Sequence, residues 1–309
     1  MRTTVEWRAA AASDRGLQRS NNEDRVYADE SEGVFIVVDG VGGQPAGEKA
    51  ADTALEIIVR ELDPSRGQVE RQIRNAVTAA NNEIWRLSQT NPDWSGMACV
   101  LTLAVAHDEM VTVGHVGDSR LYLVWNGTIR KLTPDHSPVG EQEDSGELTM
   151  EQAMAHPRRH EVFRDVGSRE RHPNDDDFIE VRSFPFHPAA AFLLCSDGLS
   201  DVLTSTQIGD VVEEYNGQPA QIAHRLVEAA NEHGGTDNVS VVFVAGPDFV
   251  GTRSPAFLDA RARHATTRAR VSRGRVRFTL GRFLWLLLGI VIGMAIWAAA
   301  GDAILRRHW

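Results

Sequence analysis

Residues 110–133 read MVTVGHVGDSRLYLVWNGTIRKLT. Apolar and polar side chains alternate along this stretch, the period of a strand with one face buried. The pattern breaks at Asn126-Gly127, a dipeptide suited to the two-residue turn of a hairpin. The strands here are therefore expected to run antiparallel. Upstream, Val69, Ile73, Ala76, Val77, Ala80, Ile84 and Leu87 keep helical spacing, the second of two helices expected before the hairpin. Downstream, Ile222, Leu226, Val227 and Ala230 mark a helix over 219–233, with Gly234 as its stop. The run TDNVSVVFVAG at 236–246 reads as a closing strand. Helices in pairs with hairpins between them predict a layered α+β fold rather than a parallel α/β sheet.

The 309 residues are 42% hydrophobic and 24% charged, enough for a sizeable core. Cys99 and Cys195 both sit in apolar runs and read as buried, reduced thiols. The first sixteen residues contain no apolar core of a secretion signal. Charge is divided unevenly. Residues 251–309 hold 11 Arg, no Lys and 2 Asp, so the net −11 splits into +9 there and −20 on residues 1–250. An acidic body of that size argues against a nucleic-acid partner. Near the end, FLWLLLGIVIGMAIWAAA at 283–300 is 18 residues without a charge. As a helix it covers roughly 27 Å, close to the hydrocarbon thickness of a bilayer. Eight Arg between 261 and 282 precede it and only Arg306 and Arg307 follow, which predicts a single pass of the cytoplasmic membrane with the body in the cytoplasm. Gly289 and Gly293 form a GxxxG spacing that can pair helices into a weak dimer.

Four aspartates stand at the ends of apolar runs, three closing a run, Asp39 in VVDG, Asp118 in VGDSR and Asp197 in CSDG, and one ahead of a run, Asp237 in GTDN. Glu23 and Asp24 add two more carboxylates in RSNNED. Asp-Gly after a strand is also an everyday turn signal, so spacing alone does not bring these groups together. Were they to converge, they would suit hard divalent cations, which take oxygen ligands. Two such ions sharing a carboxylate can activate water and clamp an in-line phosphoryl displacement.

Taken in order, RSNNED, DGVGG, GDSR, SDGLSD and GTDN resemble the metal-dependent protein serine/threonine phosphatases of type 2C, in their bacterial form. The likeness covers about residues 8–246. It implies a four-layer sandwich, two antiparallel β-sheets flanked by helix pairs. The domain reading that follows is a catalytic domain over 1–246, an Arg-rich linker over 247–280, a transmembrane helix over 281–301 and a tail over 302–309. The resemblance makes Asp39 the carboxylate that bridges two ions, Mn²⁺ or Mg²⁺, with the carbonyl of Gly40 on one of them. Asp197 and Asp237 would hold the second ion. Glu23 would act through water, and Asp118 with Asp197 would hold a third, weaker ion. Arg19 matches the phosphate-binding arginine, a role that suits a guanidinium gripping two oxygens. Asp24 and Asn238 stand behind the ligands, Asn238 orienting Asp237.

The implied reaction is attack by metal-activated water on phosphoserine and phosphothreonine of cytoplasmic proteins, opposing a cognate Ser/Thr kinase. Ser119 and Ser196 are thus not expected to be nucleophiles. Arg120 reads as a structural ion-pair partner and His115 as a packed strand residue. Val41 stands where animal members carry a histidine after the bridging Asp-Gly. The segment 135–182 keeps the landmarks DHS and HPRR but is unusually acidic at 141–147. The competing reading is an inactive, phosphoprotein-binding scaffold at the membrane.

Overall fold

A computed structural model describes residues 6–41, 46–107 and 109–254. The chain begins with strands β1 (Arg8–Asp14), β2 (Arg25–Asp29) and β3 (Val34–Val41), then helices α1 (Ala46–Glu61) and α2 (Val69–Thr90). Four strands follow, β4 (Ala98–His107), β5 (Met110–Val116), β6 (Arg120–Trp125) and β7 (Thr128–Lys131). Short helices α3 (Pro138–Asp144) and α4 (Met150–Met154) lead to β8 (Glu180–Pro185) and β9 (Ala191–Cys195). Helices α5 (Asp197–Ser200), α6 (Ser205–Val212) and α7 (Pro219–Glu232) precede β10 (Val239–Ala245).

All the pairings between these strands are antiparallel, in two five-stranded sheets ordered β1-β10-β9-β6-β7 and β2-β3-β4-β5-β8. The β6–β7 turn is the expected one, with Asn126 and Gly127 both at positive φ. Several strands are apolar without alternation because both of their faces are covered. In β3, Val34, Ile36 and Val38 pack under α1 and α2, whereas Phe35 and Val37 face the other sheet. In β10, Val241, Phe243 and Ala245 pack with α6 and α7, and Val242 and Val244 face inward. Period 2 thus divides each central strand between two cores. The core between the sheets is aromatic, with Phe35 edge-on to Phe192 at 5.5 Å and Phe186 edge-on to Phe192 at 5.6 Å.

Cys99 and Cys195 are free and buried, on different sheets and on faces turned away from each other. The folded unit continues past Gly246 to Ser254. Phe249 packs on Tyr215 and Phe243, Gly251 N–H donates to the Tyr215 carbonyl, and Arg253 pairs with Asp210 at 2.6 Å. Residues 255–280 of the Arg-rich segment, the apolar run 283–300 with Gly289 and Gly293, and Gly42 and Gly43 lie outside the described residues. Among the described residues no helix is long and apolar enough to cross a membrane.

Candidate metal centre

Strand direction decides which carboxylates meet. Cys195 at the end of β9 lies opposite both Arg120 of β6 and Val241 of β10. The end of β9 therefore stands beside the starts of β6 and β10, and Asp197, Asp118 and Asp237 emerge together. In the other sheet Arg25 pairs with Val38, so Glu23 and Asp24, entering β2, stand beside Asp39, leaving β3. Asp39 falls on the same face of β3 as Phe35 and Val37, the face toward the other sheet.

The two sets are joined across the sandwich by Ser196. Its hydroxyl donates to Asp24 Oδ2 at 2.8 Å and accepts from the Ser240 N–H at 2.9 Å. That hydroxyl is a strut, not a nucleophile. The charges record how closely the carboxylates gather. Burial holds Asp39 well above the usual carboxylate range, and the charges of Asp24, Asp197, Asp118 and Asp237 push the same way. Burial and then Asp197 raise Asp118 likewise. Burial, with help from Asp197 and Asp237, lifts Asp24 to about 7. Asp237 is raised by burial and by Asp197, and Glu23 chiefly by burial.

Arg19 is exposed on the loop before β2 and donates to Asp237 Oδ2 at 2.6 Å. Asn238 touches Asp237 through its backbone N–H, at 2.8 Å. Its side chain does something the sequence did not suggest. It accepts from Glu23 N–H at 2.8 Å and donates to the carbonyls of Arg15 and Asn21 at 2.9 and 2.7 Å. Asn238 thereby staples the loop carrying Arg19 and Glu23 to the start of β10. Gly40 meets a steric demand beside the carbonyl role expected of it. A methyl there would run into the carbonyl oxygens of Gly47 and Glu23. The glycine is required because three backbone segments meet at this point.

Arg120 is the ion-pair partner expected of it: its guanidinium grips Asp135 at 2.6–3.1 Å and Glu143 at 2.7 Å. Lys131 pairs with Asp144 at 2.7 Å. Part of the acidity of 141–147 is thus consumed in fastening α3 to β6 and β7. The DHS landmark has the same purpose. His136 N–H donates to the Gly117 carbonyl at 2.7 Å, and Gly117 N–H donates to His136 Nδ1 at 3.0 Å, which fixes the residue before Asp118. His115 is packed: it bonds Thr102 and the Pro134 carbonyl, and burial pushes it down to about 3. Val41 is exposed at the end of β3.

Two groups at the site were not singled out from the sequence. His160 Nδ1 lies 3.6 Å from Asp197 Oδ2 and 3.5 Å from Asp201 Oδ2. Among the described residues this is the trio whose candidate ligand atoms all fall within 4.8 Å. Asp201 is raised to about 7 by burial and by Asp197, while Arg159 pairs with it at 2.9 Å. The signal for Asp201 was present, since it is one helical turn beyond Asp197 in SDGLSD. His160 belongs to an irregular segment and left no such periodic mark.

The residues fit hard divalent cations. The donors are almost all carboxylate oxygens, they raise one another's pKa values, and the buried Asp24 Oδ1 has no hydrogen-bond partner. Comparison with known proteins agrees. The family model for Protein phosphatase 2C matches residues 6–145. The chain is 32% identical over 242 residues to the serine/threonine phosphatase stp of Listeria welshimeri, covering 75% of this chain and 93% of that protein. It is 35% identical over 249 residues to the serine/threonine protein phosphatase PstP of Mycobacterium tuberculosis, covering 80% of this chain but 46% of PstP. Among solved structures, the M. tuberculosis phosphatase PstP/Ppp superposes with a TM-score of 0.70 at 34% identity, covering 78% of this chain and 98% of that one. The PstP catalytic domain in complex with 2 manganese ions gives 0.68 at 33% identity, covering 77% and 97%. On sequence, fold and the convergence of its acidic strand ends, the chain belongs to the protein phosphatase 2C family.

Proposed function

We propose that this chain is a membrane-tethered protein serine/threonine phosphatase that uses two Mn²⁺ or Mg²⁺ ions, with a third held more weakly. It hydrolyses phosphoserine and phosphothreonine on proteins. One observation carries the reading: six carboxylates from both sheets, Glu23, Asp24, Asp39, Asp118, Asp197 and Asp237, are driven to one end of the sandwich at a cost in mutual repulsion. A scaffold would have no use for such a strained cluster.

Asp39, Asp197, Asp237, Glu23 and the Gly40 carbonyl would hold the two ions, and Asp118 with Asp197 the third. When bound, the cations lower the pKa of attacking water and neutralise the phosphoryl oxygens. The protein's own part is positioning. Arg19, exposed and mounted on the loop that Asn238 pins, can exchange Asp237 for two phosphate oxygens. Asp24 and Ser196 hold the two sheets in register behind the site. His160, whose pKa is raised chiefly by its pairing with Asp197, stands beside the site, where no histidine follows Asp39.

The tether is argued from the apolar run 283–300 and the arginines before it, with the catalytic domain on the cytoplasmic side. The partner proteins are phosphorylated Ser/Thr proteins and the kinase that modifies them. Helix pairing through Gly289 and Gly293 would bring two chains together weakly. Release of phosphate from a phosphothreonine peptide should require Mn²⁺ or Mg²⁺ and stop with excess EDTA. Undiminished turnover in EDTA would remove the mechanism, and binding of the peptide without release would favour the scaffold.

A further inference from the structure

The sandwich is closed along one side, where β1 and β2 pack together, and opens along the other, between the edge strands β7 and β8. A cavity of about 200 Å³ occupies that mouth. Val113, Leu132 and Phe184 form its apolar wall, continuous with the core between the sheets. Arg130 and Arg182 also line it. The Arg130 side chain is exposed and, among the described residues, makes no ion pair or hydrogen bond; Arg182 pairs through Nε with Glu180 at 2.6 Å, which leaves its terminal nitrogens free. An apolar slot with one unpaired and one half-used guanidinium beside it is complementary to a small anion with an apolar body. Its volume is that of about six or seven waters at roughly 30 Å³ each, room for a ligand of on the order of ten non-hydrogen atoms. Two guanidinium forks match a planar carboxylate, and the predominantly apolar wall disfavours a bare inorganic anion.

We propose that this mouth binds a small amphipathic carboxylate, its apolar body between Val113, Leu132 and Phe184 and its carboxylate between Arg130 and Arg182, and that occupancy is felt at the metal centre. The route is short. Glu180, the partner of Arg182, also lies 3.6 Å from His136 Nε2, and His136 exchanges hydrogen bonds with Gly117, next to Asp118. A carboxylate that takes up Arg182 competes with Glu180 and alters its hold on His136. Neither Arg19 nor any metal-site carboxylate lines the mouth, so binding there is independent of the proposed phosphatase activity, whereas the coupling rests on it.

The probe is 3-phenylpropionate, titrated into the full-length protein by calorimetry, with 3-phenylpropylamine as the cationic control. The acid should bind saturably with a Kd on the order of 1 mM or tighter. The amine, and the acid with the Arg130→Glu/Arg182→Gln variant, should bind at least ~10-fold more weakly. Both substituted positions are exposed, and an unchanged melting temperature will show that the variant folds. Equal binding of acid and amine, equal binding to wild type and variant, or no saturable binding overturns the site. At saturating acid, the Mn²⁺ concentration giving half-maximal phosphatase activity should shift severalfold in the wild type and not in the variant. An unchanged value in the wild type overturns the coupling.

Discussion

Ser196 sits one residue before a metal-site aspartate, yet both of its hydrogen bonds are already spent. Its hydroxyl joins Asp24 on one sheet to Ser240 on the other. Ser196→Ala should cost about 1–3 kcal/mol in a denaturant titration, because Asp24 and the Ser240 N–H both lose a buried partner. Turnover should fall far less than for a lost nucleophile. A complete loss of activity in a folded Ser196→Ala protein would restore the covalent reading. Asp39 lies at the opposite extreme, where removing a charge relieves the fold and ruins the site. Asp39→Asn should lower activity by more than ~100-fold while the metal-free protein melts at the same temperature or higher. The second half of that expectation follows from the repulsion Asp39 shares with Asp24, Asp197, Asp118 and Asp237. A lower melting temperature would mean that Asp39 supports the fold. Residue types were legible here and residue duties less so. Asn238 was readable as a neighbour of Asp237, but its clasp on Arg15, Asn21 and Glu23 spans more than 200 positions and has no local signature.

At the scale of elements, the regular parts followed from periodicity. Helix α2 begins at Val69, the first residue of its apolar stripe, helix α7 begins at Pro219, just ahead of Ile222, and the β6–β7 hairpin turns at Asn126-Gly127. The segment between β7 and β8 has no such period. What orders it is charge: Arg120 and Lys131 reach from β6 and β7 to Asp135, Glu143 and Asp144. Arg120 is nine-tenths or more buried, and removing it would take the guanidinium from Glu143 and leave Asp135 only the longer pairing with Lys131. Arg120→Met should therefore destabilise by about 3–5 kcal/mol in chemical denaturation and loosen α3. If Arg120→Met costs under ~1 kcal/mol, the network is ornamental. Lining the cleft at Asp118 and Asp197, this segment also brings Arg159 and His160 to the site, so a stretch without a strong apolar period carries one of the two groups not singled out from the sequence.

For the molecule as a whole, the site makes stability depend on pH and on metal. Asp24 and Asp201 are raised to about 7, and Asp39 and Asp118 well above their ordinary values. The folded protein therefore holds more protons than the unfolded chain from about pH 4 up to about pH 7. Stability of the metal-free protein should fall as pH rises through that window, the reverse of a salt-bridged carboxylate. Thermal unfolding between pH 5 and 8 in a chelating buffer checks the sign; a flat or rising profile would count against the clustering. Cations require the deprotonated groups, so Mn²⁺ should raise the melting temperature more at pH 8 than at pH 6. Its stabilisation reaches about 2.7 kcal/mol when the ion is at 100 times its Kd. An equal effect at both pH values would show that the ion binds elsewhere.

The antiparallel layers, the helix pairs, the acidic strand ends and their kinship to a phosphatase family were legible in the amino-acid order, because periodicity and short motifs are local properties of a chain. That order did not determine that those strand ends meet, that Ser196 and Asn238 bind the meeting place together, or that His160 and Asp201 join it. Those contacts join residues far apart in number, and only closure of two sheets over a shared core selects them. The mouth between β7 and β8 is of the same kind: it exists because one side of the sandwich stays open, which no single strand encodes.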